Sequence, residues 1–146
     1  MCAPILDRAA IQQILPHRDP MLLVDSVWLL EEGQCIETSF FVDDARDIFR
    51  GHFPGEPVLP GVYTVESMAQ TADILLLRMP GYAGKIPLFL GIDGVKFLRK
   101  ILPGETLHIR AELSAHRPEK GIATCSCRVF VAGTLAATGD VTLAMR

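Results

Sequence analysis

Residues 62–79, VYTVESMAQTADILLLRM, leave this chain few ways to fold. Val62, Val65, Met68, Ala69, Ala72, Leu75, Leu76 and Met79 recur at three- and four-residue steps, the spacing of one helical face. Within the stretch only Glu66, Asp73 and Arg78 are charged. A helix this apolar has too little polar surface to lie on the outside of a fold, so other elements must wrap it. Pro80-Gly81 stops it. The spacing therefore predicts one long buried helix, and the rest of the chain must supply its cover.

The rest reads mostly as strands. Asp7 caps a short helix over 8–15 that ends at Pro16. Residues 21–30 and 34–42 read as two strands around a Glu31-Glu32-Gly33 turn. Residues 86–99 form a third, bent near Gly91 or Gly94. Residues 105–117 alternate, with Leu107, Ile109, Ala111, Leu113 and Ala115 on one face and polar residues on the other. Residues 122–132 and 134–145 make a final hairpin around Ala132-Gly133. The sum is an α+β fold in one domain over 1–146: a long central helix against a six-strand, mostly antiparallel sheet.

Composition narrows the function. At 146 residues the chain can bury about two-thirds of its unfolded surface, so a core forms without disulfides or metals. It is 49% apolar and 21% charged, which excludes wholesale disorder. A net charge of −3 gives no reason to expect nucleic acid. No apolar run reaches the ~20 residues of a membrane span, and the N-terminus lacks a signal-peptide pattern. The expected location is the cytoplasm, with Cys2, Cys35, Cys125 and Cys127 reduced. Cys125 and Cys127 fall on one face of a strand. There is no Cys-x-x-Cys and no helical histidine pair, so no metal and no cofactor is expected.

The informative segment is Gly51-His52-Phe53-Pro54-Gly55-Glu56-Pro57-Val58-Leu59-Pro60-Gly61. Prolines fix φ and glycines permit close approach, so this apolar loop is expected to be rigid and packed. It holds one histidine just before a buried helix with a glutamate on its first turns. A histidine titrates near neutrality, and a carboxyl among apolar groups needs a partner or a raised pKa. The pair suggests acid–base chemistry. Taken alone, His52 could equally be a satisfied loop histidine, and Glu66 a carboxylate favoured near a helix N-terminus.

Leu15-Pro16-His17-Arg18 with Pro20 and Leu22-Leu23-Val24-Asp25, GHFPG (51–55), LPG (59–61) with Glu66 and Ala69-Gln70, GIDGVKF (91–97) and Pro103-Gly104 together resemble the β-hydroxyacyl-acyl carrier protein dehydratases of the FabZ type. The likeness covers about residues 11–107. It departs from the family's pattern at Asp19-Pro20-Met21, at Ser26 and across Thr124–Ala137. The resemblance implies a hot-dog fold, a helix wrapped by an antiparallel sheet. It places His52 on the catalytic histidine, Glu66 on the catalytic glutamate and Gly61 on the glycine that starts the central helix. It further implies sites shared across a homodimer, with dimers often grouped in threes.

The chemistry so implied is loss of water from a (3R)-3-hydroxyacyl thioester on a phosphopantetheine arm. His52 would take the C2 proton, Glu66 would give a proton to the C3 hydroxyl, and the Gly61 N–H would bind the thioester carbonyl. Gln70 and Tyr63 are candidate tunnel-lining residues, with core packing an equal role for Tyr63. His17 and Arg18 are expected to be structural. The partner is acyl carrier protein, which is acidic, so a local basic patch is required; Lys96, Arg99 and Lys100 of KFLRK, with Arg50, are the candidates. Alternatives are a hot-dog thioesterase using Glu66 or Asp73, a dehydratase that also isomerises, and a non-catalytic acyl-binding subunit.

Overall fold

The computed structural model describes residues 3–146. Cys2 lies outside the described residues. Helix α1 spans Arg8–Gln12, β1 Ser26–Glu31, β2 Cys35–Phe41, α2 Gly61–Leu77, β3 Pro87–Phe97, β4 Thr106–Arg117, β5 Ile122–Val131 and β6 Thr134–Met145. Short 3₁₀ turns cover Asp47–Arg50 and Pro118–Lys120. The strands form one six-stranded sheet in the order β1-β2-β4-β5-β6-β3. Every pairing in it is antiparallel. The sheet wraps α2, which packs against β2, β4, β5, β6 and β3. This is the helix-in-sheet architecture expected from periodicity.

Thirteen of the 17 residues of α2 are buried, and Gly61, Val62, Tyr63 and Glu66 are the exceptions. Its apolar residues join a core with Leu22, Phe40, Leu107, Ile109 and Val129. Three of its buried polar side chains, Ser67, Gln70 and Thr71, find partners on other elements. Ser67 Oγ donates to the Leu23 carbonyl at 2.5 Å. The hydroxyls of Thr71 and Thr38 meet at 2.7 Å.

The first expected strand, 21–30, begins only at Ser26. Leu22, Leu23 and Val24 are all fully buried, and three consecutive residues cannot all face inward on a strand. At Leu23 and Met21 the backbone bonds to the helix instead of to a ladder. The Leu23 N–H donates to Gln70 Oε1 at 2.7 Å, and Gln70 Nε2 donates to the Met21 carbonyl at 2.7 Å. Asp25 accepts from Arg8 Nη1 at 2.8 Å and from the Phe41 N–H at 2.6 Å. The alternation in β4 holds for Leu107, Ile109 and Ala111 and fades where a bulge between Leu113 and Ala115 shifts the register. Cys125 and Cys127 share the inner face as expected; both are free thiols, and burial pushes Cys125 up to about 12.

Asp73 is the anomaly of the helix. It is 3% exposed, and its Oδ1 is buried without a hydrogen-bond partner. Burial, and secondarily the charge of Glu66, hold its carboxyl well above the ordinary value of 3.8. A carboxyl whose folded pKa is raised is best tolerated below its unfolded pKa. It loses stability as pH rises toward the folded value, because the native state then binds the extra proton. Asp73→Asn removes that ionisation while keeping the shape. The variant should melt several degrees above the parent at pH 8, and the gap should close toward pH 4; thermal melts across that range check this.

Candidate active site

The loop before α2 is built by its own backbone. The His52 N–H donates to the Ile48 carbonyl at 3.0 Å, the Val58 N–H to the His52 carbonyl at 3.0 Å, and the Leu59 N–H to the Ile101 carbonyl at 2.8 Å. Phe53 and Glu56 exchange two backbone bonds across the tip, at 3.2 and 2.9 Å. The segment is thus a tight, closed turn, as its Pro and Gly content implied. His52 stacks on Phe53 with ring centroids 4.1 Å apart. Its Nδ1 lies 2.8 Å from the Val58 carbonyl. A carbonyl only accepts, so Nδ1 carries the hydrogen and the neutral ring presents a bare Nε2.

His52 and Gly61 share a concavity of about 440 Å³, walled by Val58, Phe97, Arg99 and Lys100. Gly61 is the first residue of α2, and its N–H has no carbonyl one turn back in the helix. A Cβ placed on Gly61 would come within 2.8 Å of Phe97 Cζ. The glycine therefore lets the Phe97 ring lie against the helix N-terminus.

Glu66 belongs to a different neighbourhood. Gln70 Nε2 donates to its Oε2 at 2.8 Å, and His17 Nε2 stands 3.7 Å from the same oxygen. Among the described residues no hydrogen bond or ion pair joins Glu66 to His52. Gln70 is fully buried, with its amide spent on Leu23, Met21 and Glu66, so it is placed to hold Glu66 and not to line an open tunnel. Tyr63 packs on the core. Arg18 donates to the carbonyls of Gln12, Leu15 and His17, the anchoring expected of it. His17 differs from expectation, because it faces Glu66 across 49 residues of sequence. Nothing local in Pro16-His17-Arg18 signals that contact.

The four basic residues separate into two kinds. Arg99 is bound to Glu105 at 2.6 Å; against the cost of burial, the Leu102 N–H and then the Arg99 guanidinium hold the Glu105 carboxyl below its ordinary value. Arg99 therefore ties the 98–105 turn and is neutralised there. Lys96 and Lys100 are exposed, and Arg50 reaches only the exposed Asp47, at 3.5 Å. Among the described residues no group of three or more His, Cys, Asp and Glu is placed to hold a metal ion.

Comparison with known proteins follows this geometry. A family model described as a FabA-like domain matches residues 15–140. A 3-hydroxyacyl-[acyl-carrier-protein] dehydratase FabZ of Desulforamulus reducens is 45% identical over 97% of this chain and 98% of its own length. The protein of the same name from Pelotomaculum thermopropionicum is 40% identical over 97% of this chain and all of its own. This chain belongs to the FabA-like family. Among solved structures it is similar to a dehydratase heterocomplex, ApeI:P, from Xenorhabdus doucetiae, with TM-score 0.76 and 18% identity over 100% of this chain and 93% of that one. A hypothetical thioesterase with coenzyme A from Streptococcus pneumoniae has TM-score 0.62 at 10% identity, covering 83% of this chain and 84% of that one. Those two likenesses show the shared hot-dog fold.

In this FabA-like chain the Gly61–Phe97 contact should appear as energetic coupling. Gly61→Ala should destabilise the parent and cost nothing when Phe97 is already alanine. A double-mutant cycle by denaturant unfolding should give a coupling of about 1 kcal/mol. Additive effects would mean that the ring does not rest on the glycine.

Proposed function

We propose that this chain removes water from (3R)-3-hydroxyacyl-acyl carrier protein, giving the trans-2-enoyl thioester, in fatty-acid synthesis or a related acyl-carrier pathway. The near-full-length relatives named as FabZ dehydratases support the substrate class. The observation that carries the mechanism is the fixed tautomer of His52. With Nδ1–H spent on Val58, the bare Nε2 is a base beside the N-terminus of α2.

The thioester carbonyl accepts from the Gly61 N–H, aided by the positive end of the helix, and this acidifies C2. His52 Nε2 takes the C2 proton. The electron pair left at C2 forms the C2–C3 double bond as the C3–O bond breaks. Glu66, in its acid form, protonates the departing hydroxyl, which leaves as water. The proton held by His52 and the one lost by Glu66 balance through solvent, and the enzyme is reset. A thioesterase reading would leave the built His52 turn without a task.

The active form is a homodimer, and dimers can group in threes. Within one chain no hydrogen bond or ion pair joins His52 to Glu66, and the site is completed by a second copy that brings its own residue alongside. β3 ends the sheet with an unpaired edge, and Leu88, Leu90, Ile92, Phe97 and Leu98 on and beside it are each about half exposed. An apolar open edge of this kind is a site for another chain. No helix among the described residues is long and apolar enough to cross a membrane.

His52→Ala and Glu66→Gln should each reduce turnover by about 10²–10⁴-fold, with the double variant little worse than either alone. Mixed under subunit exchange, the two inactive preparations should regain activity, because one site of each mixed dimer carries neither change. Continued silence after verified exchange would place both residues in one chain's site. The carrier should dock through Lys96 and Lys100, beside the His52 concavity, and through Arg50. Lys96→Glu with Lys100→Glu should raise KM severalfold for the carrier-linked substrate and leave an N-acetylcysteamine thioester nearly unaffected. That preference should fade with salt, since rim charges act mainly by steering. Equal losses on both substrates would indicate a damaged tunnel.

A further inference from the structure

The dehydratase reading gives no task to His17, the histidine that faces Glu66. His17 follows α1 and is half-buried against α2. Its Nδ1 is buried and has no hydrogen-bond partner. Its Nε2 lies 3.7 Å from Glu66 Oε2, beyond hydrogen-bond reach but in direct electrostatic contact. Burial pushes the imidazole below its ordinary value while the Glu66 carboxyl pulls the other way, so the resting ring is neutral.

Two deductions fix the protons around Glu66. A buried N–H with no acceptor is costlier and rarer than a buried lone pair with no donor. The neutral His17 ring therefore keeps Nδ1 bare and carries its hydrogen on Nε2, facing Glu66. Gln70 is fixed as well. The Leu23 N–H can bond only to an oxygen and the Met21 carbonyl only to a nitrogen, so the amide cannot be flipped. Its remaining N–H points at Glu66 Oε2. Two N–H groups thus face the same carboxyl oxygen, which leaves Oε1 as the seat of the acid proton. Asp73, on the same helix, is the other titratable group that bears on Glu66, with Cys125 of β5 beyond it; burial keeps both in the neutral form.

We propose that His17 is a positioning residue for the acid: its Nε2–H, beside that of Gln70, keeps Glu66 Oε2 as the unprotonated half of the carboxyl and stabilises the charge that builds there as the proton leaves Oε1 for the substrate. This interaction is stronger after the proton has moved than before, which is the condition for lowering a barrier. The inference rests on the dehydratase reading, in which Glu66 is the acid.

The test combines a spectroscopic assignment with two substitutions in the full-length protein. Nitrogen-15 NMR of the wild-type imidazoles should show His17 neutral at pH 7 with its hydrogen on Nε2; a hydrogen on Nδ1 overturns the proposal. With a 3-hydroxyacyl N-acetylcysteamine thioester, His17→Leu, which keeps the bulk, should lower kcat about tenfold or more with KM within about twofold. His17→Gln, which returns an N–H near the place of Nε2, should recover most of that loss. Equal losses in the two variants, or a leucine variant with kcat near wild type, overturn it. If the leucine variant does not fold, the NMR assignment and the glutamine variant decide, and a glutamine variant as inactive as Glu66→Gln overturns it. Glu66→Gln in the same assay separates the two levels. An active Glu66→Gln removes the acid role and His17's with it. An inactive Glu66→Gln beside a fully active His17→Leu removes only His17.

Discussion

Burial of α2 is the constraint on which the rest of the structure depends. A 17-residue helix with 13 buried positions must be covered on nearly every side, and its buried Ser67, Gln70 and Thr71 are each answered from another element. The sheet supplies most of the cover. The remainder comes from the extended run Leu22–Val24, which gives up strand pairing to bond with Ser67 and Gln70. That exchange fixes the position of Gln70, and Gln70 in turn holds Glu66. A packing requirement thereby becomes a positioning device, because the groups that hold the helix in the sheet also hold the carboxyl at its exposed end.

The chemistry gathers where the burial stops. Gly61, Val62, Tyr63 and Glu66, the positions of α2 that remain open, all lie in its first two turns. The Gly51–Pro60 turn closes on itself there and delivers His52 to the helix N-terminus. Hydrogen bonds hold both side chains in place: His52 Nδ1 donates to the Val58 carbonyl, and Glu66 accepts at Oε2 from Gln70. The two groups face different surroundings within one chain, and β3 leaves an apolar edge of the sheet open.

The charge pattern shows how much the tertiary fold revises a sequence pattern. KFLRK reads as a run of three equal cations. In the fold Arg99 turns back onto Glu105 and becomes part of the 98–105 turn, while Lys96 and Lys100 stay in solvent. An arginine offers a planar fork that a carboxylate can match, and a partly buried pair of this kind holds better than one at the surface. The surviving positive patch is therefore smaller than the sequence suggests, and it borders the His52 concavity.

The sequence by itself determined the helix, the number of strands and their succession along the chain, and the closed GHFPG turn that precedes the helix. These are written in local signals: a 3.6-residue apolar period, two-residue alternation, and Pro and Gly at the turns. It misplaced the start of β1, because a run of apolar residues reads the same whether it pairs in a ladder or bonds to a helix. Only the tertiary structure decided that Gln70 is spent on Leu23, Met21 and Glu66, that Asp73 is buried without a partner, and that His17 faces Glu66. Each of these is a contact between elements far apart in the chain. Their geometry is set by how the sheet closes around α2, and no local period or motif carries that information.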